Sequence, residues 1–128
     1  MSIEKISTTA APAAIGPYSQ GVRAGDYLFF SGQIPLDPAT GELVAGGIEA
    51  QTRRVLTNME GALAAAGLDF TQVVKTTIFL ADLKDFALVN ELYGACFSGI
   101  YPARSTVQVT ALPKGAAIEI EWVAYCGK

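Results

Sequence analysis

The residues best suited to chemistry in this chain are one arginine and two glutamates near its C-terminus. Arg104 opens an alternating segment that runs to Val109, and Glu119 and Glu121 lie in a second one, Ile118 to Tyr125. Successive side chains of a strand point to opposite faces. Arg104, Thr106 and Gln108 therefore share one face, with Ser105, Val107 and Val109 on the other. Glu119, Glu121, Val123 and Tyr125 share a face in the same way, and Ile118, Ile120, Trp122 and Ala124 form the apolar, core-facing set. Paired as neighbours, the two strands would bring Arg104 near Glu119 or Glu121. That arrangement has two readings. One is a cross-strand ion pair worth ~1 kcal/mol or less. The other is an arginine that clamps a carboxylate through two parallel hydrogen bonds, beside a glutamate that handles water.

The chain has no histidine. That excludes Ser-His-Asp triads, Cys-His dyads and any histidine acid or base. Its two cysteines, Cys96 and Cys126, form no CxxC pair, so neither a zinc site nor a disulfide framework is expected. Cys96 reads as a small core residue within an apolar helical pattern, and Cys126 as incidental. Gly46-Gly47 precedes a helix but lacks a phosphate-loop pattern. Chemistry must then use carboxylate, guanidinium, phenol, hydroxyl, backbone and water, and no metal is expected.

Other residues stand out by position. Asn90 falls on the apolar stripe of a helix, four residues after Phe86 and three before Tyr93. A buried amide left unpaired costs ~1–3 kcal/mol, so Asn90 is either a satisfied structural amide or a group lining a pocket. Ser31-Gly32 ends an apolar strand, and the glycine allows close approach by a ligand or another chain. Ser31 has no histidine to activate it as a nucleophile, but backbone N–H groups at this bend are candidates to bind an anion. Tyr18, in the turn Gly16-Pro17-Tyr18-Ser19, reads as interface packing or as a site wall.

These residues need elements to hold them. Ser19 to Ala24 reads as a short strand, Gly25-Asp26 as a turn, and Tyr27 to Gln33 as a strand apolar on both faces. Pro35, Pro38 and Gly41 mark a loop. Ile48, Thr52, Val55, Met59, Leu63 and Ala66 recur at helical spacing, which predicts a helix over 48–66 stopped by Gly67. Val73 to Leu80 is a β-branched strand. Asp82 or Asp85 caps a second helix, Phe86 to Phe97, with Phe86, Val89, Tyr93 and Phe97 as its stripe. Pro102 closes the next loop, and Leu112-Pro113-Lys114-Gly115 lies between the last two strands. The order β-β-β-α-β-α-β-β predicts a single α+β domain over residues 1–128, with two helices on one sheet face. No third layer remains for the other face, so another subunit is its expected cover.

Composition agrees. The chain is 128 residues long, 51% hydrophobic and only 16% charged, with more apolar surface than one core needs. Its net charge of −3 and scattered basic residues count against nucleic acid as a partner. Met1 to Thr9 is polar and no stretch reaches the ~18 apolar residues of a membrane span, so no membrane association and a cytoplasmic location are expected.

Several stretches in order resemble the RidA/YjgF family. They are Ala11 to Gln20, Ser31-Gly32-Gln33-Ile34-Pro35, Val74 to Leu80 with Asp82-Leu83, Phe86 to Asn90, Tyr101 to Ser105, Leu112-Pro113-Lys114, and Ile118 to Glu121. The resemblance implies a chorismate-mutase-like fold assembled as a barrel-like homotrimer, with sites in clefts between subunits. It implies hydrolysis of 2-iminoacids and their 2-aminoacrylate-type enamine tautomers to 2-oxoacids and ammonia, without cofactor. On that pattern Arg104 binds the substrate carboxylate and Glu119 positions or activates water. Tyr18, Ser31, Gly32 and Asn90 shape the cleft. Thr106 stands where the family often has cysteine, so a backbone contact survives there and thiol modification does not. The 97–102 loop is shorter than in many relatives, which bears on cleft rim and substrate size. Three other readings belong to such a chain: a ligand-binding or chaperone-like module using the same clefts, an RNA-cleaving translation inhibitor, and a deaminase of a larger imine.

Overall fold

A computed structural model describes residues 2–127. Six strands and two α-helices follow in the expected order: β1 (Ile3–Ile6), β2 (Gly21–Ala24), β3 (Tyr27–Gln33), α1 (Ile48–Ala65), β4 (Val73–Leu80), α2 (Phe86–Gly94), β5 (Ala103–Gln108) and β6 (Ile118–Tyr125). β1 lies in the polar N-terminal stretch, where alternation is too weak to mark a strand. The second helix ends three residues earlier than its stripe predicts; Phe97 is buried beyond its end.

The strands form one sheet in the order β1-β2-β3-β6-β4-β5. All pairs are antiparallel except β4 with β5, which run parallel and are joined through α2. Such a connection needs a crossover element, because a tight turn cannot join parallel strands. β5 and β6 are therefore not neighbours, contrary to the expectation from sequence. β4 separates them, pairing Thr76 with Arg104 on one side and with Trp122 on the other. The physical reason is burial. β4 and β6 each carry a fully buried apolar row, Ile78 and Leu80, and Ile118, Ile120, Trp122 and Ala124. Those rows belong in the middle of the sheet, whereas the row of Arg104, Thr106 and Gln108 suits an edge.

Both helices cover the same face. Val55, Met59, Ala62 and Leu63 of α1 and Val89 and Tyr93 of α2 join the sheet's apolar rows in one core. α1 stops as the sequence predicts. Gly67 turns at φ 75°, its N–H reaches Ala64 O, and the Leu68 N–H reaches Leu63 O at 2.9 Å, a Schellman cap. Asp82 caps the 3-10 turn before α2 by accepting from the Lys84 N–H at 2.9 Å. Among the described residues no layer covers the opposite sheet face, and Tyr27, Phe29 and Val107 remain more than two-fifths exposed there. No helix among the described residues is long and apolar enough to cross a membrane.

Candidate functional site

The two chemical residues lie apart. Arg104 is on the helix-covered side of the edge strand β5, and Glu119 is on the open side of β6, opposite Phe79 of β4. Their β4 partners are Thr76 and Phe79, so they sit two strand spacings and three residues apart, about 14 Å between Cα atoms by strand geometry. No Arg104–Glu119 or Arg104–Glu121 ion pair forms within the chain, and the cross-strand pair anticipated from sequence is corrected accordingly.

Two clefts are relevant: the first borders Gly32, against which the Glu119 carboxylate lies without itself lining the cleft, and the second contains Arg104. The first, about 590 Å³, is lined by Tyr18, Ser31, Gly32, the 34–41 loop, Pro113 and Lys114. Its floor is made where β3 bulges against β6, with the register shifting between Phe30 and Gln33. The bulge turns Gly32 toward Glu119. A side-chain carbon at Gly32 would collide with Glu119 Oε2, so the carboxylate keeps this position only with glycine there. Gly32, expected from sequence to allow close approach by a ligand or another chain, is approached by the Glu119 carboxylate and also lines the cleft.

Burial, with repulsion from Glu121 added, pushes the Glu119 carboxyl above its ordinary value. Among the described residues no cation pairs with it. Ser31 is engaged structurally: its Oγ donates to Ser19 O at 2.6 Å, and its N–H to Gln20 O at 3.0 Å. The Ser31 N–H is thus already used and does not serve an anion. Tyr18 is half exposed on the cleft wall.

Two buried amides that the sequence reading passed over hold this cleft. The Gln20 carboxamide accepts from the Thr8 N–H at 2.7 Å and donates to Thr8 O, Ala11 O and Pro12 O. Asn58, fully buried on α1, donates to Leu36 O at 3.0 Å and accepts from Arg54 Nε. Asn58 had a readable signal, since it falls on the apolar stripe beside Val55 and Met59. Gln20 had none, because its partners are local loop carbonyls. Lys114 was missed as well. Among the described residues it is the one non-glycine at positive φ, 58°, and its Nζ reaches across to Gly41 O at 3.3 Å.

The second cleft, about 650 Å³, is lined by Asn90, Glu91, Tyr93, Gly94, Tyr101, Pro102 and Arg104. Asn90 was expected to be buried. It is exposed, and its Oδ1 accepts from Arg104 Nη1 at 2.5 Å. Phe86, Asn90 and Tyr93 recur at helical spacing along the side of α2 that faces β5, and the guanidinium lies against all three. Arg104 has no carboxylate partner among the described residues. Thr106 shares its face, with Oγ1 shielded from solvent and unpartnered. Cys96, two residues beyond the end of α2, is half-buried, its thiol pushed up by burial and by Glu60.

A family model described as Endoribonuclease L-PSP matches residues 8–126. The chain belongs to this family, the RidA/YjgF family. Among RidA relatives, Protein DfrA of Myxococcus xanthus is 57% identical over 126 residues, covering 97% of this chain and 96% of that protein. The Homo sapiens protein named 2-iminobutanoate/2-iminopropanoate deaminase is 54% identical over 122 residues, covering 95% and 89%. The crystal structure of the Rid protein YyfA from Yersinia pestis, described as of unknown function, matches with a TM-score of 0.94 at 50% identity, over 97% of this chain and 99% of that one. The RidA fold and its α+β architecture thus hold for this chain.

Proposed function

We propose that this RidA chain hydrolyses 2-iminoacids, such as 2-iminopropanoate and 2-iminobutanoate, and their enamine tautomers, to 2-oxoacids and ammonia. The observation that carries this reading is the state of Arg104: a guanidinium held in a cleft by neutral groups, with no carboxylate of its own. A permanent cation so placed suits an anionic ligand, and a planar carboxylate matches its fork. Relatives named for this activity at about half identity support the same class.

The two half-sites require a partner. Arg104 with Asn90 and Glu119 with Gly32 and Tyr18 lie on different faces of one chain, so a complete site forms between copies. A cyclic homotrimer, with the uncovered sheet face turned inward, supplies three such junctions. There Arg104 of one subunit anchors the substrate carboxylate. Glu119 of its neighbour accepts a proton from water as the water oxygen bonds to the imine carbon. That proton passes to the nitrogen; Glu119 then takes the remaining hydroxyl proton of the tetrahedral adduct as the C=O forms and the C–N bond breaks, and ammonia leaves with that proton as ammonium. Orientation supplies most of the acceleration, since a protonated imine is already electrophilic.

The test is release of ammonia and 2-oxoacid from 2-iminobutanoate generated in situ. Wild type exceeds background, and Arg104→Ala loses about 10- to 100-fold in kcat/KM, the worth of a charged hydrogen-bonded pair. Wild-type release at background refutes the reading and leaves the same clefts to a binding role.

A further inference from the structure

Arginine is a poor anchor when free, because its four rotatable side-chain bonds must be frozen before it holds a ligand in one plane. Here the plane is set by α2. The Arg104 guanidinium carbon lies 5.4 Å from the Phe86 ring centroid and 5.3 Å from that of Tyr93, both within cation–π range. Asn90 Oδ1, between them on the helix, takes Nη1. Nε and Nη2 have no hydrogen-bond partner among the described residues, and those two N–H groups form a fork that fits a carboxylate.

Tyr93 is itself fastened. Its hydroxyl is 2.7 Å from Thr76 Oγ1, both residues being buried, and its ring packs on Phe97 at 4.8 Å. Thr76 is also the residue that pairs with Arg104 across the β4–β5 ladder. The position beside the arginine's backbone therefore fixes the ring beneath its guanidinium. Aromatic faces hold a cation without neutralising it. A glutamate in their place would fix the arginine equally well and compete with the ligand.

We propose that Phe86 and Tyr93, with Thr76 behind Tyr93, are positioning residues that pre-orient Arg104 for a substrate carboxylate. This rests on the reading of Arg104 as the carboxylate anchor. Phe86→Leu removes one face, Tyr93→Phe keeps the ring but loses the Thr76 bond, and Phe86→Tyr keeps an aromatic face.

The experiment is a double-mutant cycle with Arg104→Ala, read on KM and kcat for 2-iminobutanoate and, independently of turnover, on calorimetric affinity for 2-oxobutanoate. Phe86→Leu is expected to raise KM about three- to thirtyfold with kcat little changed, matching the range of one cation–π contact. Tyr93→Phe gives a smaller rise, Phe86→Tyr restores wild-type values, and Phe86→Leu has no further effect once Arg104 is alanine. Equal losses with and without Arg104 overturn the proposal, as does failure of Phe86→Tyr to restore binding. Should wild type bind 2-oxobutanoate through Arg104 without turning over the imine, the deaminase reading falls and the cycle is decided on affinity. Absence of both turnover and binding refutes both.

Discussion

Arg104 and Glu119 point to opposite faces of one sheet, with β4 running between their strands. No rotamer change brings them together, because strand parity sets the face and the sheet itself lies between. Any reaction that needs both must draw them from different copies of the chain.

That separation predicts complementation. Arg104→Ala and Glu119→Gln chains should each be nearly inactive alone. Unfolded together and refolded at equal ratio, random cyclic trimers would carry one intact junction in every mixed ring, and about a quarter of wild-type activity should return. Ammonia release from the mixture checks this. No recovery, with mixed rings demonstrated by mass spectrometry, argues against a shared site.

Gly32→Ala should damage activity more than stability. The added carbon meets the Glu119 carboxylate, which must move, while the strand tolerates alanine. A displaced base of this kind costs up to about 10²-fold in rate, so kcat should fall by about tenfold or more with a nearly unchanged urea midpoint. The two measurements together separate a moved carboxylate from a misfolded chain.

The raised Glu119 carboxyl has two consequences. As a base it must be ionised, so the acid limb of kcat/KM should lie above the ordinary glutamate value of about 4.3. Glu121→Gln should lower that limb only modestly, because burial is the larger cause and Glu121 the smaller. Stability runs the other way. A carboxyl whose folded-state pKa is raised leaves the fold at full stability below the unfolded-state pKa, and that stability is partly lost as pH rises through the folded-state value. Glu119→Gln should thus resist urea better than wild type at pH 7 and equally well at pH 3.

Asn58→Ala tests the support of the first cleft. It leaves Leu36 O without its buried donor, at a cost of about 1–3 kcal/mol, and frees the loop that lines the cleft opposite Tyr18. Urea unfolding should show the loss of stability. KM should rise as well, since the 34–41 loop is no longer tied to α1.

Much of this protein was legible in its sequence because the relevant physics is local. Alternation sorted Ile118, Ile120, Trp122 and Ala124 from Glu119 and Glu121, and helical spacing placed Thr52, Val55, Met59 and Leu63 on one buried stripe; both hold in the fold. The absence of histidine limited the chemistry at once, and Arg104, Gly32 and Asn90 stood out by type and position, whereas the choice of Glu119 over Glu121 rested on the family resemblance. Strand order was not legible. Pairing β5 with β6 satisfied alternation as well as the true order does, since parity within a strand says nothing about its neighbour. Only the competition of whole strands for burial puts β6 and β4 at the centre and Arg104 at the edge. That placement moved Arg104 away from Glu119, brought it against Phe86, Asn90 and Tyr93, and is why the proposed site draws its two residues from different copies.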